Sequence, residues 1–269
     1  LRIKNIKVGD SQTHFIDHEL NFLIMNSNPY NIIVNIVDNE NLISLLRISN
    51  KAFKNNIERQ VSVFYYRLFL LLSQIWNVNN GISYLHSSAV SINGKAIVFT
   101  ADSGVGKSSL LVKLSEESGF SFIADDLTVI SSDSVAFFQG RSLSIKPYHL
   151  NFFSILENKL DSLMSFGQKL QWKLLSDNRL TYRISPSYLF DRTSESAEIT
   201  RVIHLCNHSG SDFRISNLSS TDLVTYTTSI LINEFFLANQ KLNALASLPG
   251  SPFFSSSILY NKVSDIYLK

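Results

Sequence analysis

The stretch FTADSGVGKSSLL, from Phe99 to Leu111, holds the residue types that grip phosphate. Gly104 and Gly106 let a backbone approach anionic oxygens with no Cβ in the way, and a loop over Asp102–Ser108 would present successive N–H groups to them. Lys107 supplies a point charge for β- and γ-phosphates, and the Ser108 hydroxyl is a hard oxygen ligand of the kind Mg²⁺ takes. The candidate nucleotide-binding segment is therefore Asp102, Ser103, Gly104, Val105, Gly106, Lys107, Ser108 and Ser109. The usual pattern, Gly-x-x-x-x-Gly-Lys-Ser, opens on a glycine where this chain has Ala101. An alanine fills that place if the turn keeps φ negative and is strained there if it does not. The competing reading is an incidental Lys-Ser after a glycine-rich turn, and the flanking elements weigh against it.

A second group of candidates lies downstream. Asp125 and Asp126 end the apolar run FSFIA. A carboxylate at the end of the strand beside a phosphate loop is placed for a further Mg²⁺ contact. Successive strand residues point to opposite faces, so the other carboxylate can face an acceptor and take a proton from an attacking hydroxyl. Taken alone, the pair equally fits turn or helix-cap aspartates. Arg141 and Lys146 could neutralise a phosphoryl group in transfer or an acceptor carboxylate, and equally fit ordinary cations on a β-segment. His86, taken alone, reads as a structural histidine.

These residues depend on elements that hold them. From Leu1 to about Arg47, HFIDHELNFLIM and NIIVNIVD predict strands between turn-rich breakers. Asn55 to Trp76 predicts a helix, ended by Asn77–Gly81. Its apolar part, Val61–Trp76, carries Arg67 and is too short to span a bilayer, so it predicts a buried helix of a soluble protein. A boundary near residue 80 separates a small N-terminal α+β region over 1–80, expected to recruit substrate, from a catalytic domain over 81–269. In the second part YLHSSAVSI predicts a strand, Asn93–Lys95 a hairpin turn and AIVFT a fully apolar strand. SSLLVKLSEES predicts a helix with Leu110, Leu111 and Leu114 on one side, stopped by Gly119, and FSFIADDLTVI predicts the next strand. Strand, loop, helix and strand in that order is the context a phosphate loop requires. VAFFQGRSLSIKP, LTYRISP and ITRVIHLC predict further short strands. Ser219 to Leu237 predicts a helix with Leu223, Tyr226, Ile230 and Leu231 on its apolar side.

Composition excludes several functions. Of 269 residues 45% are apolar and 17% charged, enough to build a core. The net charge of +2 comes from scattered residues, so no nucleic-acid footprint is present, and no membrane partner is expected. Cys206 is the only cysteine, which excludes an intrachain disulfide and a CxxC metal pair and makes a reducing, cytoplasmic setting the expectation.

In order, the Leu85–His86 pair opening a strand, the loop DSGVGKS and the strand-ending ADD resemble the catalytic core of HPr kinase/phosphorylase and the wider group of HPr-kinase-like enzymes. The resemblance is close from Tyr84 to Ile130 and looser to the C-terminus, through RSLSIKP and RVIHL…ISNLSS. It implies an α/β fold related to phosphoenolpyruvate carboxykinase, with a twisted mixed sheet and the phosphate loop on one edge. It implies Mg²⁺-dependent phosphoryl transfer from ATP to a serine hydroxyl. By position it implies that Lys107 and Ser108 hold nucleotide phosphate and metal, that Asp125 is the metal-side carboxylate, Asp126 the general base, and His86 the histidine near the reacting phosphate. Arg141 and Lys107 would spread the developing charge. The family often assembles through this core, so a homo-oligomer is also expected.

Two positions depart from the family. Ser109 stands where it has an acidic residue after Gly-Lys-Ser, and the signature EIRGLGI is replaced by FFQGRSLSIKP. With the short N-terminal region, this is more similar to the HPr-kinase-like proteins of peptide-modification clusters, including kinases of the C-terminal serine of lasso-peptide precursors. The expectation is an ATP- and Mg²⁺-dependent kinase acting on a serine of a peptide or small protein. A small-molecule hydroxyl kinase, acting on free serine or a sugar, and a nucleotide-binding regulatory module with little catalysis are the alternatives.

Overall fold

Short β-branched runs broken by turns become three sheets, of four, seven and two strands, in a computed structural model. It describes residues 8–9, 12–17, 22–28, 31–36, 65, 69–175, 181–210, 212, 214–247, 249, 251 and 253–269. Strands β1 (Val8–Gly9), β2 (Gln12–Asp17), β3 (Phe22–Asn28) and β4 (Asn31–Ile36) form an antiparallel sheet in that order. HFIDHELNFLIM supplies parts of β2 and β3, and NIIVNIVD supplies β4. Most of the helix expected over Asn55–Trp76 lies outside the described residues. Its end is described: α1 (Leu70–Asn79) runs past Trp76, and Asn80 N–H closes the last turn on Asn77 O at 2.8 Å.

The seven-stranded sheet carries the glycine-bearing loop. Its strands are β5 (Ile82–Leu85), β6 (Ser87–Ile92), β7 (Lys95–Thr100), β8 (Phe120–Ala124), β9 (Thr128–Ser131) and β10 (Val135–Phe137). After β11 (Leu143–Ile145) and β12 (Tyr182–Ile184), which pair with each other, comes the last member, β13 (Ser196–His204). The order is β5-β9-β10-β13-β7-β6-β8; β13 and β7 are parallel and the other neighbours antiparallel, so the protein is mixed α/β with a mixed sheet. Asn93 and Gly94, both at positive φ (50° and 75°), make the tight β6–β7 turn that Asn-Gly favours.

Two expected strands are each broken in two. YLHSSAVSI forms β5 and β6 with His86 between them, and FSFIADDLTVI forms β8 and β9 with Asp125–Leu127 between them. The two stretches run antiparallel throughout, β5 against β9 at one end of the sheet order and β6 against β8 at the other. This ribbon bends where its apolar pattern is interrupted by polar residues. Small residues permit the tight curvature: Ala89, Ala96, Ala124, Ala136 and Ala197 are buried together with Leu85, Val98, Ile123 and Ile130.

Helices cover the rest. α2 (Lys107–Leu114) packs Leu111 and Val112 onto Val90, Phe99 and Phe122. That cluster extends to β11 and, beyond the short α3 (Pro147–Leu150), to Leu156 and Leu160 of α4 (Ser154–Leu163); α5 (Phe166–Leu175) follows. The C-terminal helices are α6 (Ser220–Glu234), α7 (Phe236–Ala246) and α8 (Ser256–Tyr267). Leu231, Leu242, Leu259 and Val263 from these helices bury Leu70, Leu71 and Val78 of α1. The helix expected over Ser219–Leu237 therefore breaks at Phe235. Its Ser219 cap accepts from Asp222 N–H at 3.1 Å, and Tyr226, expected on the apolar side, is 48% exposed. Among the described residues no helix is long and apolar enough to cross a membrane.

Burial of His149 helps make the fold acid-sensitive. His149 is 1% exposed, and its Nδ1 accepts from Lys146 N–H at 2.9 Å, so Nε2 carries the proton, without a partner among the described residues. Burial, helped by the Lys146 charge, pushes its pKa down to about 4. The unfolded chain then binds more protons between pH 4 and the unfolded value of 6.5. The contribution of His149 is complete above about pH 6.5 and is lost, by roughly 3 kcal/mol, as the pH drops to 4. His149→Asn, whose Oδ1 can still accept from Lys146, should make the acid slope shallower in melting curves taken from pH 7 to 4, leaving the part that His86 contributes over the same range.

Candidate phosphoryl-transfer site

Four stretches distant in sequence meet at one end of the curved sheet. Ser87, the first residue of β6, lies opposite Thr100, the last of β7; Ala89 lies opposite Ala124, the last of β8; and His204, the last of β13, also pairs with Thr100. The β5–β6 junction, the loop after β7, the β8–β9 junction and the end of α6 therefore share one space. It lies at the carboxyl ends of the parallel strands, where open α/β sheets bind ligands.

The loop has the backbone a phosphate cradle needs. Gly104 and Gly106 adopt φ of 88° and 120°, and a Cβ built on either would meet nothing within 4 Å. The demand for glycine is thus conformational, and the space beside the loop is open. Ala101 is fully buried and is not among the residues at positive φ, so alanine fills the first position without strain. Gly106 caps α2 with no side-chain bond, leaving the first N–H groups of the helix for an anion. Asp102, Ser103 and Gly104 are exposed, and Ser109 lies half-buried on α2.

Lys107 is turned inward. Its Nζ donates to Ala101 O at 2.7 Å and Asp102 O at 3.1 Å, and lies 3.0 Å from His86 Nε2. Burial, the largest influence, pulls its pKa down; the carboxylates of Asp126, Asp125, Glu234 and Asp102 pull the other way. An ammonium has no acceptor to offer, so His86 Nε2 accepts and the imidazole proton sits on Nδ1. That Nδ1 is buried, has no hydrogen bond, and lies 3.9 Å from Asp126 Oδ1. Burial and then Lys107 push the His86 pKa to about 4, so the ring stays neutral at physiological pH.

Asp125 and Asp126, expected on a strand, instead form the bend after β8. They diverge because Asp126 takes the left-handed conformation at φ 77°, which aspartate tolerates better than most residues. Asp125 is 2% exposed and faces the loop: Oδ1 accepts from Ser108 at 2.9 Å and Ser88 at 3.0 Å, and Oδ2 from Ser144 N–H at 3.0 Å. Burial pushes its carboxyl up, and these three donors oppose that shift. Asp126 has other partners, with Oδ2 3.0 Å from Arg141, whose guanidinium lies 5.6 Å over the Tyr65 ring.

Three contributors were not foreseen. Ser88 and Ser144 hold Asp125, and Glu234, the last residue of α6, has Oε1 3.8 Å from His86 Nε2. Burial and then Asp126 push the Glu234 carboxyl up. A glutamate at the negative end of a helix opposes the dipole, and that is the sequence signal that could have marked it. Lys146 forms no ion pair among the described residues, and its backbone N–H goes to His149. Also beside the loop, Thr100 Oγ1 is 2.9 Å from His204 Nδ1, and the His204 ring stacks on Tyr226 at 5.4 Å.

The donor set suits a cation that arrives with phosphate. Among the described residues no group of three His, Cys, Asp or Glu could hold a metal. One hydroxyl and one buried carboxylate suit Mg²⁺, which keeps waters and takes the rest of its shell from phosphate oxygens. No protein-family model matches the chain, and no curated protein is significantly similar to it.

Proposed function

We propose that this protein is a Mg²⁺- and ATP-dependent kinase that transfers the γ-phosphoryl group to a hydroxyl, most favourably a serine of a peptide or small protein. The reading places the site on a P-loop core of the phosphoenolpyruvate carboxykinase type. The observation that supports it best is the split of two adjacent carboxylates. Asp125 is bonded to the Ser108 hydroxyl of the phosphate loop, and Asp126 has different partners, lying beside His86 and Arg141. Phosphoryl transfer requires one group for the metal and another for the attacking hydroxyl.

Bound Mg·ATP supplies the transferable phosphoryl group and part of its charge neutralisation. The loop N–H groups and Lys107 bind phosphate, and Ser108 with Asp125 holds the metal. Lys107 must release Ala101 O, Asp102 O and His86 to do so. Asp126 accepts the proton of the acceptor hydroxyl, and Arg141 disperses charge on the transferring oxygens. His86, neutral with its proton on Nδ1, can donate to an oxygen in the site while carrying no charge of its own.

The test is direct. Purified protein with Mg·ATP is offered a serine-centred peptide library, free serine and a panel of sugars, and phosphorylated products are identified by mass spectrometry. Phosphopeptide formed with matching ADP release is the expected result. Tight nucleotide binding with no acceptor phosphorylated would overturn the reading in favour of a regulatory nucleotide-binding module.

A further inference from the structure

β13 is fully paired on one side and only partly on the other. Glu198 to His204 lie along β7, whereas β10 reaches only Ser196 to Glu198. The last bond to that hairpin runs from Ile199 N–H to Ser134 O at 2.7 Å. Beyond it, Leu205 N–H donates to Thr100 O at 2.8 Å, which fixes the alternation. Arg201, Ile203 and Leu205 turn their backbone groups to β7, and Val202 and His204 turn theirs outward. Among the described residues no strand pairs with these outward groups.

The same segment is bare on its faces. Val202 is 38% and Ile203 40% exposed, although β13 sits in the middle of the strand order. A strand edge with unpaired N–H and C=O groups is a template for another strand unless something blunts it. Neither proline nor a bulge interrupts Arg201–His204, because the register shift falls before Arg201. The edge also leads to the catalytic centre. His204 touches Thr100, the residue before the phosphate-loop segment, and stacks on Tyr226 of α6, the helix that ends in Glu234.

We propose that Thr200–His204 is a docking edge on which the acceptor polypeptide adds as an extended strand, bonding through its backbone to Val202 and His204. This rests on the kinase reading for the word acceptor. The occupant is a polypeptide because outward donors and acceptors recurring at every second residue match only an extended backbone. It is the acceptor because the edge ends beside the phosphate loop. Free serine and sugars have no backbone to add, so peptide is the class of substrate that this edge selects.

Hydrogen exchange resolved by residue tests it on the full chain. In the free protein the Val202 and His204 amides should exchange fast and those of Arg201 and Ile203 slowly. A serine-centred peptide library with Mg²⁺ and a non-hydrolysable ATP analogue should slow Val202 and His204 about tenfold or more. Val202→Pro removes an outward N–H and leaves the bonds to β7 in place, so it should weaken this protection about tenfold without altering nucleotide binding. Val202 and His204 amides that stay fast with the library present would overturn the proposal, even if free serine is phosphorylated and the kinase reading stands. Slow exchange in the isolated protein together with a dimeric mass would overturn it too, by assigning the edge to a second copy. Protection without phosphopeptide would keep the docking edge and remove the kinase reading.

Discussion

Asp126→Asn should lower phosphoryl transfer about a thousandfold and leave nucleotide affinity unchanged. Asparagine is nearly isosteric and, like aspartate, tolerates the left-handed backbone that Asp126 adopts at φ 77°. Its amide oxygen can still meet Arg141, now 3.0 Å from Oδ2, so the bend keeps its shape. What is lost is the basic oxygen beside His86. The matched control is Asp125→Asn. Asp125 accepts from three donors, and an amide placed there can keep its oxygen on the Ser144 N–H and donate to the two hydroxyls, which can turn to accept. What it removes is the charge that would meet the metal, so Asp125→Asn should weaken Mg·ATP binding and leave the melting temperature within a few degrees of the parent. Single-turnover rates, nucleotide titrations and melting curves on both variants would separate the roles. Equal loss of rate and equal loss of stability in the two would remove the assignment of Asp126 as base.

The local parts of the site were legible because their chemistry is local. A glycine-bearing loop between an apolar strand and an amphipathic helix declares itself within thirteen residues, Phe99 to Leu111, and Asn93–Gly94 declares its turn in two. The two broken strands were not legible. Apolar runs such as YLHSSAVSI carry no mark of curvature, and the bend follows from closing β5–β6 and β8–β9 into one ribbon. The polar residues inside those runs were still informative, since His86, Asp125 and Asp126 stand where the ribbon turns. The divergence of the two aspartates was expected from strand alternation and arises instead from the positive φ of Asp126. Ser88, Ser144 and Glu234 enter through contacts across the fold, and no short window of sequence contains both partners.

Lys107→Met should abolish the stabilisation that Mg·ATP confers and leave the empty protein as stable as before. A ligand at a hundred times its dissociation constant stabilises by about 2.7 kcal/mol, which in a domain of this size raises the melting temperature by roughly 5–10 °C. Without the ammonium, the loop keeps its N–H groups but loses its one buried cation, and that rise should fall below about 1 °C. The empty state answers differently. Lys107 is 7% exposed, and burial holds its pKa below the ordinary lysine value, so the charge is less stable inside the protein than in water. Methionine fills similar space with no charge to desolvate. Its cost is the loss of a donor to His86 Nε2, Ala101 O and Asp102 O, and Asp102 is exposed enough for water to replace it. These effects oppose each other, so the melting temperature without nucleotide should stay within a few degrees of the parent or exceed it. A large fall would mean that the three bonds of Lys107 hold the fold itself together. A nucleotide-dependent rise that survives the substitution would move the phosphate contacts to the loop N–H groups alone, with Lys107 a structural lysine.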